Sequence, residues 1–206
     1  MSRLRKKSGS GITDDYEYNT FVIHPRYGWL PHFTGLNPKQ DFVAGVCLHW
    51  HDSVDSRVPN TAVAADLTKQ TPSTMPVTHY YDVVKTCRDC DRLFLFFALE
   101  QKYWYEELGF PLESGCGHCP DCRRRRQHVA RQRRRFEELY HVADRSTDQN
   151  LEMAETCLTL IEQSVFHKRQ VCRVRMLLNR VSAVERVVST RHAAIVQRLH
   201  CLESRR

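Results

Sequence analysis

The chain has 206 residues, of which 41% are hydrophobic, and its formal net charge is +7. The longest apolar run, LFLFFAL at 93–99, is too short to cross a membrane, and the basic N-terminus lacks the apolar segment of a secretory signal. We therefore expect a cytoplasmic protein with reduced thiols and no membrane partner. Nine cysteines in such a protein indicate metal binding rather than a disulfide framework.

The first 82 residues are predicted to contain no long helix. Residues 1–13 are expected to form a basic, disordered tail. Residues 14–82 contain six prolines, so we expect an irregular segment of short strands and ordered loops that packs on a folded zinc unit. The histidines of this segment, such as His24, are more typical of structural positions than of catalytic ones.

One short stretch of this segment, CLHWH at 47–51, offers a second possible metal site. On a strand, Cys47, His49 and His51 would share one face and could bind a metal ion. The alternative is a half-buried strand whose histidines face solvent or make local hydrogen bonds. The sequence favours this second interpretation without excluding the first.

Residues 83–127 contain the cysteine-rich unit, which we predict to be a zinc ribbon. Cys87-x-x-Cys90 and Cys119-x-x-Cys122 would each supply two thiolates from a tight turn to one tetrahedral, structural Zn²⁺ ion. The 28 residues between the pairs leave room for a strand at 93–97 and a helical insertion at 99–108. Because CGHCPDC also contains Cys116, that residue is an alternative ligand in place of Cys122.

The same cysteines allow other interpretations. CGHC at 116–119 has the spacing of a redox dithiol, so a thiol-disulfide oxidoreductase is the alternative function. However, Pro120 follows directly, and the strand and helix of a thioredoxin-like unit are not evident. An iron–sulfur cluster lacks its fourth cysteine at the expected offset, where Arg126 stands. Buried thiols without metal remain a further alternative.

The stretch CRDC…LFLFFALEQKYWYEELGF…CPDCR, over about residues 80–127, resembles a probable zinc-ribbon domain family of uncharacterised, mainly bacterial proteins. The N-terminal HPRYG…TGLNP resembles an extension found on some members. The resemblance implies that Cys87, Cys90, Cys119 and Cys122 are the metal ligands, and it implies no particular reaction. One departure is Asp91, where such turns commonly have glycine; Asp tolerates a left-handed backbone better than most residues.

Residues 128–206 are predicted to form antiparallel α-helical hairpins, so that the whole chain is α+β. Helix formers run from the arginine-rich segment to about residue 143, and Ser146 and Gln149 are spaced as a capping box at the start of the next helix. Apolar residues then recur at helical intervals in three rows. These rows are Leu151–Val165, Val171–Val181 and Val184–Leu202.

The net positive charge lies almost entirely in one segment, RRRRQHVARQRRR at 123–135. Such a run on a helix could bind the phosphate backbone of DNA or RNA, or it could be a solvated face that pairs with nearby acids. No aromatic residue is interleaved, which argues against single-strand recognition. We therefore expect a zinc-binding, non-catalytic module that binds nucleic acid or a protein partner through this helix and those after it. The candidate nucleic-acid-binding residues are Arg123, Arg124, Arg125, Arg126, Arg131, Arg133, Arg134 and Arg135.

Overall fold

A computed structural model describes residues 17–38, 56–73, 77–182 and 189–204. The contacts divide the chain into two compact units, 1–123 and 124–206. Short antiparallel sheets and helices are both present, so the predicted α+β class is confirmed. The predicted tail at 1–13 and the Cys47, His49 and His51 group lie outside the described residues. Among the described residues, none of the helices combines the length and the hydrophobicity that a membrane-spanning helix needs.

The first unit contains two small antiparallel sheets and a short helical segment. Strands β1 (Val63–Ala64) and β2 (His79–Tyr80) form one pair, and β3 (Val83–Thr86) and β4 (Leu93–Phe96) form the other. Helix α1 (Ala98–Lys102) follows β4 directly and continues as a wider π-helical turn, Tyr103–Glu107. An earlier 3-10 turn spans Tyr18–Thr20.

Strand β4 explains the unbroken apolar block in the sequence, because it is covered on both faces. Leu95 and Phe97 pack with Phe21, Val58 and Val84 on one face. Phe94 and Phe96 pack on the other, in a cluster with the five buried or partly buried cysteines of the 87–122 region. Alternation of polar and apolar residues is lost when both faces of a strand are buried.

The N-terminal segment joins this sheet through its backbone. Val22 forms an isolated parallel bridge with Phe94, and its N–H donates to the Leu93 carbonyl at 2.9 Å. The next residues turn back on themselves, with His24 and Gly28 exchanging two backbone hydrogen bonds. Gly28 has a φ of +82°, a conformation that glycine adopts without a steric cost.

Helix α2 (Pro120–Tyr140) starts at the end of the first unit, and helices are the only regular secondary structure among the described residues of the second unit. It also contains α3 (Thr147–Glu162), α4 (Val171–Asn179) and α5 (Thr190–Ser204). The capping box predicted at the start of α3 is confirmed, since the Ser146 hydroxyl accepts from Gln149 N–H and the Gln149 side chain accepts from Ser146 N–H.

The core of the second unit is built from the apolar rows seen in the sequence. Helix α3 packs against both α4 and α5. Phe136 and Leu139 bring one face of α2 into the same core. The other buried residues of this core are Leu151, Met153, Ala154, Cys157, Leu158, Leu160, Ile161, Val174, Leu177, Leu178, Val181, Ile195 and Leu199. Val184 and Val188 of the third predicted row lie outside the described residues.

Candidate metal centre

Two tight backbone segments position the two cysteine pairs. Cys87 and Cys90 lie in the turn between β3 and β4, which is closed by hydrogen bonds from Asp91 N–H to Cys87 O and from Cys87 N–H to Arg92 O. Asp91 has a φ of +56°, which is the left-handed conformation anticipated from its place in the knuckle. Cys119 immediately precedes α2, and Cys122 lies in its first turn.

The four sulfur atoms of these pairs lie within 4.8 Å of one another. The Sγ atoms of Cys90 and Cys119 are 3.8 Å apart. Zinc bound by thiolates has a Zn–S distance of about 2.3 Å, which in a regular tetrahedron separates the sulfurs by about 3.8 Å. The cluster therefore has the size and the donor set of a structural zinc site.

Hydrogen bonds support the thiolate form at two of these positions, Cys87 and Cys90. The Arg92 side chain and its N–H lower the pKa of Cys90. Burial disfavours the charged form of Cys87, but hydrogen bonds from the N–H groups of Cys119, Asp89 and Cys90 outweigh it and lower the pKa of Cys87 to about 6. The Cys119 N–H lies 3.3 Å from the Cys87 sulfur, so the second pair helps to stabilise the first. Burial raises the pKa of Cys119 and of Cys122, so these two thiolates need a cation for stability.

Cys116 lies beside this cluster but is not one of the four mutually close sulfurs. Its side chain is buried, and its Sγ donates to the His118 carbonyl at 3.4 Å. Burial raises the pKa of Cys116 to about 11. A redox dithiol needs a thiol with a lowered pKa, so neither Cys116 nor Cys119 has the environment that the oxidoreductase alternative requires, and that alternative is not supported.

A buried ion-pair network lies next to the cysteines, and sequence reasoning did not find it. Glu100, on α1, accepts a hydrogen bond from Arg123 Nη1 at 2.6 Å, and its Oε1 also lies 3.3 Å from His24 Nε2. His24 Nδ1 accepts the N–H groups of Arg26 and Tyr27, so the ring proton is on Nε2 and donates to Glu100. These hydrogen bonds overcome burial and hold the pKa of Glu100 below its ordinary value.

The same network fixes the first turn of α2 against α1. The Arg123 guanidinium lies 5.1 Å from the centroid of the Trp104 ring, in cation–π contact. The Glu100 and Arg123 side chains are only 6% and 19% exposed. Arg123 therefore has a role inside the protein, which separates it from the other arginines of its run.

The side chains of Gln101 and Asp82 form hydrogen bonds with backbone groups in and around the β3–β4 sheet. Gln101 Nε2 donates to the carbonyls of Tyr81 and Phe96, at 2.6 and 2.9 Å. The Asp82 carboxylate accepts the N–H of Ala98, at the start of α1, and the N–H of His32, both at 2.7 Å. Burial outweighs these two hydrogen bonds and raises the pKa of Asp82 to about 6.

The remaining arginines of α2 are all exposed, but Arg135 differs in its partners. Arg135 pairs with Glu152 of α3 through two hydrogen bonds of 2.7 Å and also contacts Glu138. The others are Arg124, Arg125, Arg126, Arg131, Arg133 and Arg134, and they are exposed as well. Arg124, Arg125 and Arg126 also interact with other residues of the protein.

Residues 81–131 match a family model described as a probable treble clef domain. No curated protein and no solved structure matches the chain. The matched region contains both cysteine pairs and the first half of α2. Together with the four-sulfur cluster, the match supports one structural zinc ion in this unit, so the predicted cofactor is confirmed.

Proposed function

We propose that this chain is a zinc-stabilised, non-catalytic module that binds nucleic acid through the exposed arginines of α2. The observation that carries the proposal is the exposure of six arginines along one helix. They are Arg124, Arg125, Arg126, Arg131, Arg133 and Arg134.

The zinc ion has a structural role in this proposal. Cys87, Cys90, Cys119 and Cys122 are its ligands, in a ribbon-like unit whose helical insertion is α1 and the turn that follows. Four protein ligands leave no open position at which a water molecule could be activated. The ion joins the β3–β4 turn to the start of α2, and this connection would be lost without it.

The arginines supply the binding chemistry. Guanidinium groups bind phosphates through charge-assisted hydrogen bonds, and neutralising the phosphates releases counterions. Between Cys122 and Phe136 the helix has no acidic residue. Arg123 is largely buried against Glu100, and Arg135 forms two hydrogen bonds with Glu152, so we leave these two out of the proposed surface. The other arginines are included because they are exposed, and Arg124 and Arg126 also interact with other residues of the protein.

A protein partner is the second candidate, supported by a different surface. Ile23, Leu30 and Phe33, in the loop that follows the Tyr18–Thr20 turn, are each more than half exposed. Exposed apolar side chains are typical of interaction surfaces where they form one contiguous patch, and these three lie within eleven positions of the sequence. By contrast, the apolar rows of α3, α4 and α5 are largely occupied by their own core, and we propose that these helices pack as antiparallel hairpins.

The test is binding of fluorescently labelled DNA and RNA, single-stranded and duplex, measured by anisotropy between 50 and 200 mM salt. We expect affinity for at least one of them to fall steeply with salt. Combined substitution Arg131→Gln/Arg133→Gln/Arg134→Gln should weaken binding at least about tenfold and reduce the slope of log affinity against log salt by about 3.

The control is Arg175→Gln, which removes one positive charge from a different helix, where Arg175 pairs with Glu203 at the surface. It should leave both affinity and slope unchanged. If no nucleic acid binds even at 50 mM salt, the nucleic-acid function is wrong, and the exposed loop becomes the surface to pursue with protein partners.

A further inference from the structure

The outward side of α2 can be located from its buried side. Phe136 and Leu139 are buried in the core of the second unit, and Val129 is partly buried against it. With about 100° between successive residues, the direction opposite these three side chains is close to Gln127 and Arg134. Both of these residues are exposed. They form the crest of the helix, and they are about 10.5 Å apart along its axis.

Arginines flank this crest on both sides. Arg126 and Arg133 are displaced to one side and Arg124 and Arg131 to the other, each by between about 50 and 110°. Within each pair the residues are seven apart, which is about two turns. All four residues are exposed, and Arg124 and Arg126 also interact with other residues of the protein. The helix thus presents a polar crest between two parallel rows of positive charge.

Acidic side chains limit this surface at both ends. Before it, Asp121 pairs with Arg92 at 3.1 Å, and Arg123 is held by Glu100. After it, Glu137 and Glu138 are exposed and would repel phosphate. The cationic surface therefore covers 124–134, a length of about 15 Å along the helix.

Two rows of cations with a narrow polar crest between them match a groove with a phosphate backbone on each wall. The major groove of B-form DNA, about 12 Å wide, admits an α-helix and exposes base edges to it. The major groove of A-form RNA is too deep and narrow for this. A single strand offers only one backbone, and no aromatic side chain lies on the crest or the rows to stack on its bases.

We propose that α2 binds double-stranded DNA by lying in its major groove, with Arg126 and Arg133 on one backbone and Arg124 and Arg131 on the other. This inference rests on the proposed nucleic-acid function and specifies its ligand. Gln127 and Arg134 then face the base edges about three base pairs apart, where Gln pairs with adenine and Arg with guanine.

The test measures binding of the zinc-loaded chain to three labelled ligands of one sequence: duplex DNA, duplex RNA and single-stranded DNA. We expect duplex DNA to bind at least about tenfold more tightly than either of the others. Methyl green, which occupies the major groove, should displace the protein, whereas distamycin, which occupies the minor groove, should not. Arg124→Gln/Arg131→Gln and Arg126→Gln/Arg133→Gln should each reduce the salt slope by about 2.

The outcomes separate this inference from the function on which it rests. Equal affinity for duplex DNA and duplex RNA, a preference for a single strand, or displacement by distamycin alone would overturn major-groove binding and leave nucleic-acid binding intact. A reduced slope from only one of the two double variants would contradict contact with both backbones. Failure to bind any of the three ligands would overturn the function and the inference together.

Discussion

Glu100 Oε1 lies 2.6 Å from Arg123 Nη1, so a buried ion pair joins α1 to the first turn of α2, directly beside the cysteine cluster. In the chain, Glu100 precedes and Arg123 follows the loop that connects the helical insertion to Cys119. Removing one partner of a buried pair leaves an uncompensated charge in a region that excludes water.

Glu100→Gln should therefore destabilise the first unit by about 3 kcal/mol or more, because Arg123 keeps its charge and loses its carboxylate. Chemical denaturation of the zinc-loaded protein measures this. Glu107→Gln is the matched control, since Glu107 pairs with Lys69 at an exposed position where ion pairs contribute little. Equal, small effects of both substitutions would contradict a stabilising role for the buried network.

Gln101→Leu should cost about 2–4 kcal/mol of stability, because it leaves the Tyr81 and Phe96 carbonyls buried without their donor. The same denaturation experiment measures the loss. Gln197→Leu, at an exposed position of α5, supplies the comparison and should change stability by less than about 0.5 kcal/mol. A tolerated Gln101→Leu would mean that these carbonyls find other donors.

Asp82 makes stability depend on pH. Its folded pKa of about 6 lies above the ordinary value of 3.8, so the folded state binds the proton more tightly than the unfolded state does. Stability from this group is fully present below about pH 4 and is lost as pH rises to about 6. Between pH 5 and 7 the loss amounts to about 1 kcal/mol.

The comparison that isolates this effect is the difference in unfolding free energy between the natural chain and Asp82→Asn, both zinc-loaded. Because the zinc site is common to both proteins, its own pH dependence cancels. The natural chain should lose about 1 kcal/mol relative to the variant between pH 5 and 7. If the difference in unfolding free energy stays constant, or if the natural chain becomes more stable relative to the variant, the two N–H donors outweigh the effect of burial on the pKa of Asp82.

Cys116→Ala should retain the metal, because Cys116 is outside the group of four mutually close sulfurs. The lost sulfur is buried, so a decrease in stability of about 1 kcal/mol is expected from the cavity. Metal analysis and denaturation of the same sample separate the two effects. Loss of zinc from this variant would restore Cys116 as a ligand.

The cysteine pairs could be recognised from the sequence because their signal is local: each pair is two residues bracketing a tight turn. The capping box of Ser146 and Gln149 is equally local. The network of Glu100 could not be recognised, since its partners His24 and Arg123 are 76 and 23 positions away. Neither residue has a distinctive sequence context.

The arginine run shows the same limit. Its positive charge is evident from the sequence, but the sequence does not distinguish the environments of its eight arginines, which differ in the structure. Arg123 meets Glu100 and Arg135 meets Glu152 because the fold brings those carboxylates to them. Helical periodicity predicts which face an arginine occupies, and only the packed structure says what lies opposite that face.

The central claim is that one zinc ion joins the two cysteine pairs, and metal content with serial substitution tests it most directly. The purified chain should contain about one zinc per molecule, and Cys87→Ser, Cys90→Ser, Cys119→Ser and Cys122→Ser should each lower that content or its affinity at least about tenfold. The exposed Cys172→Ser is the control and should retain full zinc. A stably folded, metal-free chain, or full zinc content in any of the four variants, would contradict the account.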